Sequence, residues 1–515
     1  MNFYFVRFCL ETEPYLIRAV YAEEGTVLKT AAEKLGYHLN TNCGNSGTCG
    51  KCRVIADGKE VPACQALVED YEKLVIPVSS IRKDENKAAV VTGSFAGKVP
   101  KPAGKRKGHR YGVAVDIGTT TLAAELQHID GDAEPVQASR ANPQRQFGDD
   151  VLSRIQKLMD DPAALTAMQQ LVVGAINEMI AEVAEKADIT PKDITLVTAA
   201  GNSVMQLLLH GIDPAPLGVV PFQPPVKEFP PRSASEAGLN IAADGMLETL
   251  PLFGGFVGGD IVAGVLTLHS INPKIADTTA FFVDIGTNGE LVLFHRGKIY
   301  TAATAAGPAF EGAGIECGTL AVPGAIDRVS IKDGKVCIST IDKAKAVGIC
   351  GSGLIDAVAV LLDNGLLKSN GQMQIPDKKN FELVPAAQSG TGKAVCLTQR
   401  DIRQVQLAAG AIRAGMTLLL ETAEITAKDL EAFYLAGGFG QFVDASAAQR
   451  VGLIPKDVPL KRLQVCGNTS LAGAVLLLLD PEYAQTAKQY IAESQNIELA
   501  KLKRFSEVFA GSMNF

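Results

Sequence analysis

The densest chemistry in this 515-residue chain lies in the stretch TNCGNSGTCGKCRVIADGKEVPACQ, Thr41 to Gln65, which holds four of its ten cysteines. Cys43, Cys49, Cys52 and Cys64 are separated by five, two and eleven residues. Four thiolates on one such stretch suit a tetrahedral zinc ion or a [2Fe–2S] cluster. Zinc ribbons usually offer two separated Cys-x-x-Cys knuckles, whereas three of these cysteines share a single loop with Gly44, Gly47 and Gly50. Glycines let backbone amides close in on inorganic sulfides, so the loop favours the cluster over zinc or free thiols. Cys9, Cys317, Cys337, Cys350, Cys396 and Cys466 are isolated in sequence and read as small buried hydrophobes.

A second chemistry repeats itself. YGVAVDIGTTTLAAEL at 111–126 and FFVDIGTNGELVLF at 281–294 share strand, DIGT turn and strand, about 168 residues apart. Each apolar strand delivers an aspartate, Asp116 or Asp284, into a turn whose backbone amides can surround a phosphate while the carboxylate faces a magnesium ion or its waters. One such turn could be a plain hairpin; the pair implies two similar halves facing one another. AFYLAGGFGQFVD at 432–444 adds Gly437, Gly438 and Gly440 after another apolar strand, permitting close approach of a flat ring or ribose. Asn202 is a candidate polar group near a γ-phosphate, with a packed helix cap as its competing role.

These residues need elements to position them. Residues 1–76 read as a small α+β domain: short strands at NFYFVRFCL and YLIRAVYA, a helical run GTVLKTAAEKLGYHL, two strands about the Asp57-Gly58 turn, and a last strand in YEKLVIP. Residues 77–110, with nine basic residues against two acidic and many Gly and Pro, read as a flexible basic linker and not as a nucleic-acid contact, since no aromatic residues interleave the charges. From 111 onward strand and helix patterns alternate as in α/β proteins, dividing at the repeat into 111–282 and 283–515.

The length demands several cores, and a composition of 47% hydrophobic and 20% charged residues with a net charge of −7 excludes a disordered or fibrous protein. The N-terminus lacks a signal-peptide core, and the longest apolar run, Ala472–Leu479, is far too short to span a bilayer, so a cytoplasmic protein with no membrane association is expected.

Three resemblances follow from the motifs. The cysteine loop resembles that of [2Fe–2S] ferredoxins of β-grasp fold, although the short interval to Cys64 departs from ordinary ferredoxins. The order of the two DIGT loops and the Gly437 loop resembles the actin-like ATPase superfamily, in which two ribonuclease-H-like halves clamp ATP and Mg2+. That resemblance implies Asp116 and Asp284 at the magnesium shell, Gly118, Thr119, Thr120, Gly286, Thr287 and Asn288 at the phosphates, and Gly437 and Gly438 at the adenosine. With the runs FVGGDIVAGVL (256–266), AAGPAFEGAGIECGTLAVPGAIDRV (305–329), GICGSGLIDAVAVLLDNGLL (348–367) and CGNTSLAGA (466–474), the whole set resembles the reductive activators of corrinoid enzymes. The implied activity is ATP-dependent transfer of one electron from the cluster to Co(II) corrinoid, restoring Co(I). The implied partners are a corrinoid protein of a methyltransferase system and an upstream electron donor, with a homodimer open. An ATP-gated donor to another low-potential enzyme and a small-molecule kinase of the actin-like superfamily are the competing functions. The 34-residue linker leaves no room for the separate middle domain of some members, and the ending VFAGSMNF carries no further cysteine motif.

Overall fold

The computed structural model describes residues 3–11, 13–35, 37, 39, 40, 45, 47, 50–77, 80, 81, 106–375, 380–437 and 443–515. The chain divides into two compact units, Met1–Ala88 with Pro143–Ala164, and Ala89–Asn142 with Leu165–Phe515.

In the first unit, β1 (Phe3–Leu10) and β2 (Glu13–Glu23) pair antiparallel, with Phe5 opposite Tyr21. Alternation along β1 as far as Phe8 sends Val6 and Phe8 inward, where they pack with Leu28, Ala31 and Ala32 of α1 (Leu28–Glu33). The strands β3 (Arg53–Ala56), β4 (Lys59–Pro62) and β5 (Leu74–Ile76) complete a sheet of order β2-β1-β5-β3-β4, with β1 and β5 parallel. Asp57 and Gly58, at φ +47° and +83°, make the β3–β4 turn foreseen from Asp-Gly. The helix is shorter than its apolar pattern because Leu39 bridges to Ile81 and the Asn40 amide donates to the Ser80 carbonyl, drawing the chain into an extended pairing. Also in this unit, α2 (Val151–Asp160) is capped by Asp150, and its fully buried Arg154 donates to the Gly148 carbonyl at 2.9 Å. The grouping of 143–164 here departs from the sequence division, which placed it within 111–282.

The second unit contains the repeat. Strands β6 (Tyr111–Ile117), β7 (Thr121–His128) and β8 (Val136–Ala141) form an antiparallel meander, and after α3 (Ala164–Lys186) β9 (Ile194–Gly201) joins β6 in parallel. Following α4 (Ser203–Leu209) and the short β10 (Arg232–Ser233), β11 (Met246–Thr249) lies parallel to β9. After α5 (Gly259–Ile271) the pattern recurs: β12 (Ala280–Ile285), β13 (Gly289–His295) and β14 (Lys298–Thr304) form a meander. A three-stranded sheet follows, of β15 (Ala325–Lys332), β16 (Lys335–Thr340) and β17 (Gly348–Ile349). Next come α6 (Gly351–Asp363), the hairpin β18 (Asn380–Val384) and β19 (Val395–Thr398), and α7 (Gln399–Thr422). The sheet then resumes with β20 (Ala432–Ala436) parallel to β12 and, after α8 (Ala445–Val451), β21 (Leu463–Gly467) parallel to β20. The two six-stranded sheets thus have matching orders, β11-β9-β6-β7-β8 and β21-β20-β12-β13-β14, each with one added edge strand.

Between the sheets lie α5 and α9 (Thr469–Leu479), whose leucines and valines share one core with Leu196 of β9 and Phe282 of β12. Every residue of α9 is buried, as the run at 472–479 foretold. The helices cross closely at Gly473, where a Cβ would stand 2.1 Å from the Ala263 carbonyl oxygen. Among the described residues no helix is long and apolar enough to cross a membrane.

Both described ends of the 77–110 stretch are held, Ser80 and Ile81 as above and Arg106 by Glu248, at 2.8 and 2.6 Å, and by the Leu477 and Leu478 carbonyls. Residues 78, 79 and 82–105 of the expected linker lie outside the described residues. Of the cysteines read as buried, Cys9, Cys350 and Cys466 are, but Cys337 is exposed on the edge strand β16, and Cys317 and Cys396 are half-buried beside each other, with the Cys396 amide 3.4 Å from the Cys317 sulfur.

Candidate functional site

The repeat places Asp116 and Asp284 at the same position, the penultimate residue of the central strand of each sheet. They line one cavity of about 160 Å³ together with Gly118, Thr119, Thr120, Asn202, Gly286, Thr287, Asn288 and Gly437. All the residues proposed from sequence for this site therefore converge except Gly438, which lies outside the described residues.

The loops are tight for physical reasons. The Gly118 amide donates to the Thr121 carbonyl at 3.0 Å, and a Cβ on Gly118 would meet that oxygen at 2.5 Å. In the second loop the Gly286 amide donates to the Asn288 carbonyl at 2.9 Å. Gly437, at φ +120°, brings its backbone against Ile285, where a side chain would stand 2.2 Å from the carbonyl oxygen. Asn202 caps α4 through the Met205 amide and donates to Thr119 Oγ1 at 2.9 Å, so it is a packed cap and a cavity residue at once.

Residues that sequence reasoning did not single out also reach the site. Asn468, the N-cap of α9, donates to Asp116 Oδ2 at 2.8 Å, and Ser470 donates to Oδ1 at 2.7 Å. Asp260 opens α5. Glu311 accepts from Thr120 Oγ1 at 2.9 Å and from Thr287 Oγ1 at 2.5 Å, one hydroxyl from each DIGT loop. The runs FVGGD, PAFEG and CGNTS carried these residues, but Gly, Asn and Ser there read equally well as helix punctuation.

Electrostatically the cavity is a crowd of carboxylates. Burial, and then the neighbouring Asp116, push Asp260 up to about 7. Burial together with Asp260, Asp116 and Glu311 holds Asp284 well above the usual carboxylate range, and burial with Asp260 and Asp284 does the same for Glu290. Asp116 is also raised by burial, against the opposing hydrogen bonds of Ser470 and Asn468. No Lys, Arg or His is among the described lining residues. Positive potential comes instead from the N-termini of α4, α5, α6 and α9, each of which borders the cavity through its cap or a residue of its first turn. An all-oxygen donor set of this kind fits a hard divalent cation, and the helix ends fit an anion such as a phosphate.

In the first unit Cys52 and Cys64 are buried, at 1% and 4% exposure, and the Ala63 amide donates to the Cys52 carbonyl. Asn45, Gly47 and Gly50 all have positive φ, and a Cβ on Gly47 would meet Gln65 at 2.8 Å. A glycine-kinked loop tied to the residue after Cys64 fits thiolates converging on a cluster; Cys43 and Cys49 lie outside the described residues.

Two like sheets about one cavity, on a chain with a ferredoxin-type module, define a redox protein with an actin-like domain. Comparison with known proteins bears this out. Residues 14–74 match the 2Fe-2S iron-sulfur cluster binding domain, 111–270 the RACo middle region, and 278–515 the C-terminal domain of RACo, the ASKHA domain. The chain is 35% identical over 427 residues to the corrinoid activation enzyme RamQ of Eubacterium limosum, covering 79% of this chain and 71% of that protein. It is 28% identical over 445 residues to the Co(II) methylated amine-specific corrinoid protein reductase of Methanosarcina barkeri, covering 79% and 77%. The structure matches that of a reductive activator for corrinoid, iron-sulfur protein with a TM-score of 0.73 at 27% identity, covering 99% and 98% of the two chains.

The chain belongs to the RACo family, with a ferredoxin-type [2Fe–2S] domain and a nucleotide-binding ASKHA domain. The middle region of that family matches 111–270, within the stretch 111–282 read from sequence as the first ATPase half.

Proposed function

We propose that this chain is an ATP-dependent reductive activator, passing one electron held by Cys43, Cys49, Cys52 and Cys64 on a [2Fe–2S] cluster to the Co(II) corrinoid of a methyltransferase-system protein, which returns to Co(I). The observation that carries this reading is the union, in one RACo-family chain, of the ferredoxin-type fold with a cavity built on two matching Asp-Gly-Thr loops. A cluster of this type supplies single electrons near about −400 mV. Each further ~59 mV demanded by the acceptor costs a factor of ten in equilibrium, which coupling to ATP hydrolysis offsets.

The chain's own residues divide the work. The Gly118–Thr120 and Gly286–Asn288 loops would hold the phosphates through the backbone amides other than those of Gly118 and Gly286, which are bonded within their own turns, and Asp116 and Asp284 would hold the Mg2+ that accompanies them. Asn202 would meet the phosphates from the cap of α4, and Gly437, with Gly438 beside it in sequence, would leave room for the adenosine. An upstream donor reloads the protein in the cytoplasm. Mixing reduced protein, MgATP and a Co(II) corrinoid protein should produce the Co(I) absorbance band at a rate set by ATP; Co(I) formation indifferent to ATP would overturn the coupling.

A further inference from the structure

Glu311 sits at the end of a 3-10 turn, Pro308–Glu311, and its two carboxylate oxygens take the hydroxyl protons of Thr120 and Thr287. Both threonines are nearly buried, at 5% and 6% exposure, and both line the cavity. A hydroxyl has one proton and two lone pairs. With its proton committed to Glu311, each oxygen can only accept; it has nothing to donate to a phosphate. The wall around them points the same way, since its described residues include Asp116, Asp260, Asp284, Glu290 and Glu311 and no cationic side chain. Donors for a phosphate come from backbone amides and helix N-termini, and the side chains supply acceptors.

We infer that Glu311 is a positioning residue: by drawing off the protons of Thr120 and Thr287 it turns both hydroxyl oxygens into acceptors for the divalent cation, so that the two loops grip the nucleotide through the metal. This rests on the nucleotide reading of the cavity. In E311Q the amide offers one acceptor and one donor, so one threonine keeps a proton free for the cavity and the acceptor pair is broken. In T120V/T287V the acceptors themselves are gone, with Glu311 in place.

The test is titration of a fluorescent ATP analogue into the full-length protein at a series of Mg2+ concentrations, with Mn2+ binding followed by electron paramagnetic resonance. The Mg2+ concentration for half-maximal analogue binding should rise roughly 10- to 100-fold in both variants, the usual effect of losing a residue that orients metal ligands. Analogue affinity at saturating Mg2+ should stay at the native value. A variant that weakens analogue binding by the same factor at every Mg2+ concentration, or that keeps the native Mg2+ requirement, overturns the inference alone. Analogue binding by the unaltered chain that ignores Mg2+ overturns the underlying reading with it. Should E311Q fail to fold, the double threonine variant carries the test.

Discussion

Asp116 receives both of its side-chain hydrogen bonds from the first turn of α9, more than 350 residues away in sequence, so its orientation is set by the second half of the repeat. Replacing Asn468 by alanine removes one of these donors and the cap on the Leu471 amide. It should cost about 1–2 kcal/mol, read as a lower denaturant midpoint. D284A should abolish ATP-dependent Co(I) formation while leaving the [2Fe–2S] absorption spectrum unchanged; activation at the native rate would remove nucleotide hydrolysis from the mechanism. Away from the site, His210 stacks on Phe229 with ring centroids 4.5 Å apart and shares a hydrogen bond with Thr249 at 3.0 Å. Burial, with Arg232 adding, lowers its pKa from 6.5 to about 4. The folded state therefore resists the proton that the unfolded chain takes up. Stability is full above about pH 6.5 and falls as the pH drops toward 4, by about 2 kcal/mol at pH 5. H210Q should flatten that part of the stability curve in melts between pH 7 and 5.

At the scale of elements, the crossing of α5 and α9 at Gly473 is a tight constraint behind the cavity. G473A must push the helices apart and should lower stability by about 1–3 kcal/mol, seen as a depressed melting temperature with weakened nucleotide binding. The DIGT loops could be read from sequence because their structure is local: an apolar strand, then an aspartate, a glycine and a threonine in one turn. Asn468 and Glu311 could not, because what they hold is decided by packing across the repeat, and a cap residue looks the same whether or not its other face meets a ligand. Periodicity also overran the end of α1, since the pairing of residues 39 and 40 with 80 and 81 competes with the helix and is invisible in the helical stretch itself.

For the whole molecule, the two modules should be separable in their spectra and inseparable in their output. C49S should lose the reddish-brown [2Fe–2S] absorbance and all Co(I) formation yet bind the ATP analogue as the native chain does, a result checked by visible spectroscopy beside the binding titration. Arg106 bears on how the larger unit is made. It closes the C-terminal end of α9, donating to carbonyls 371 and 372 residues further along, and pairs with Glu248 on the way. Contacts of such sequence separation close late in folding. At synthesis rates of about 5–20 residues per second, some 20–75 s pass between the emergence of Arg106 and that of its last partners. The opening residues of the unit thus wait on nearly its last helix, and a fragment begun at 111 would leave that helix end and Glu248 without the guanidinium that closes them.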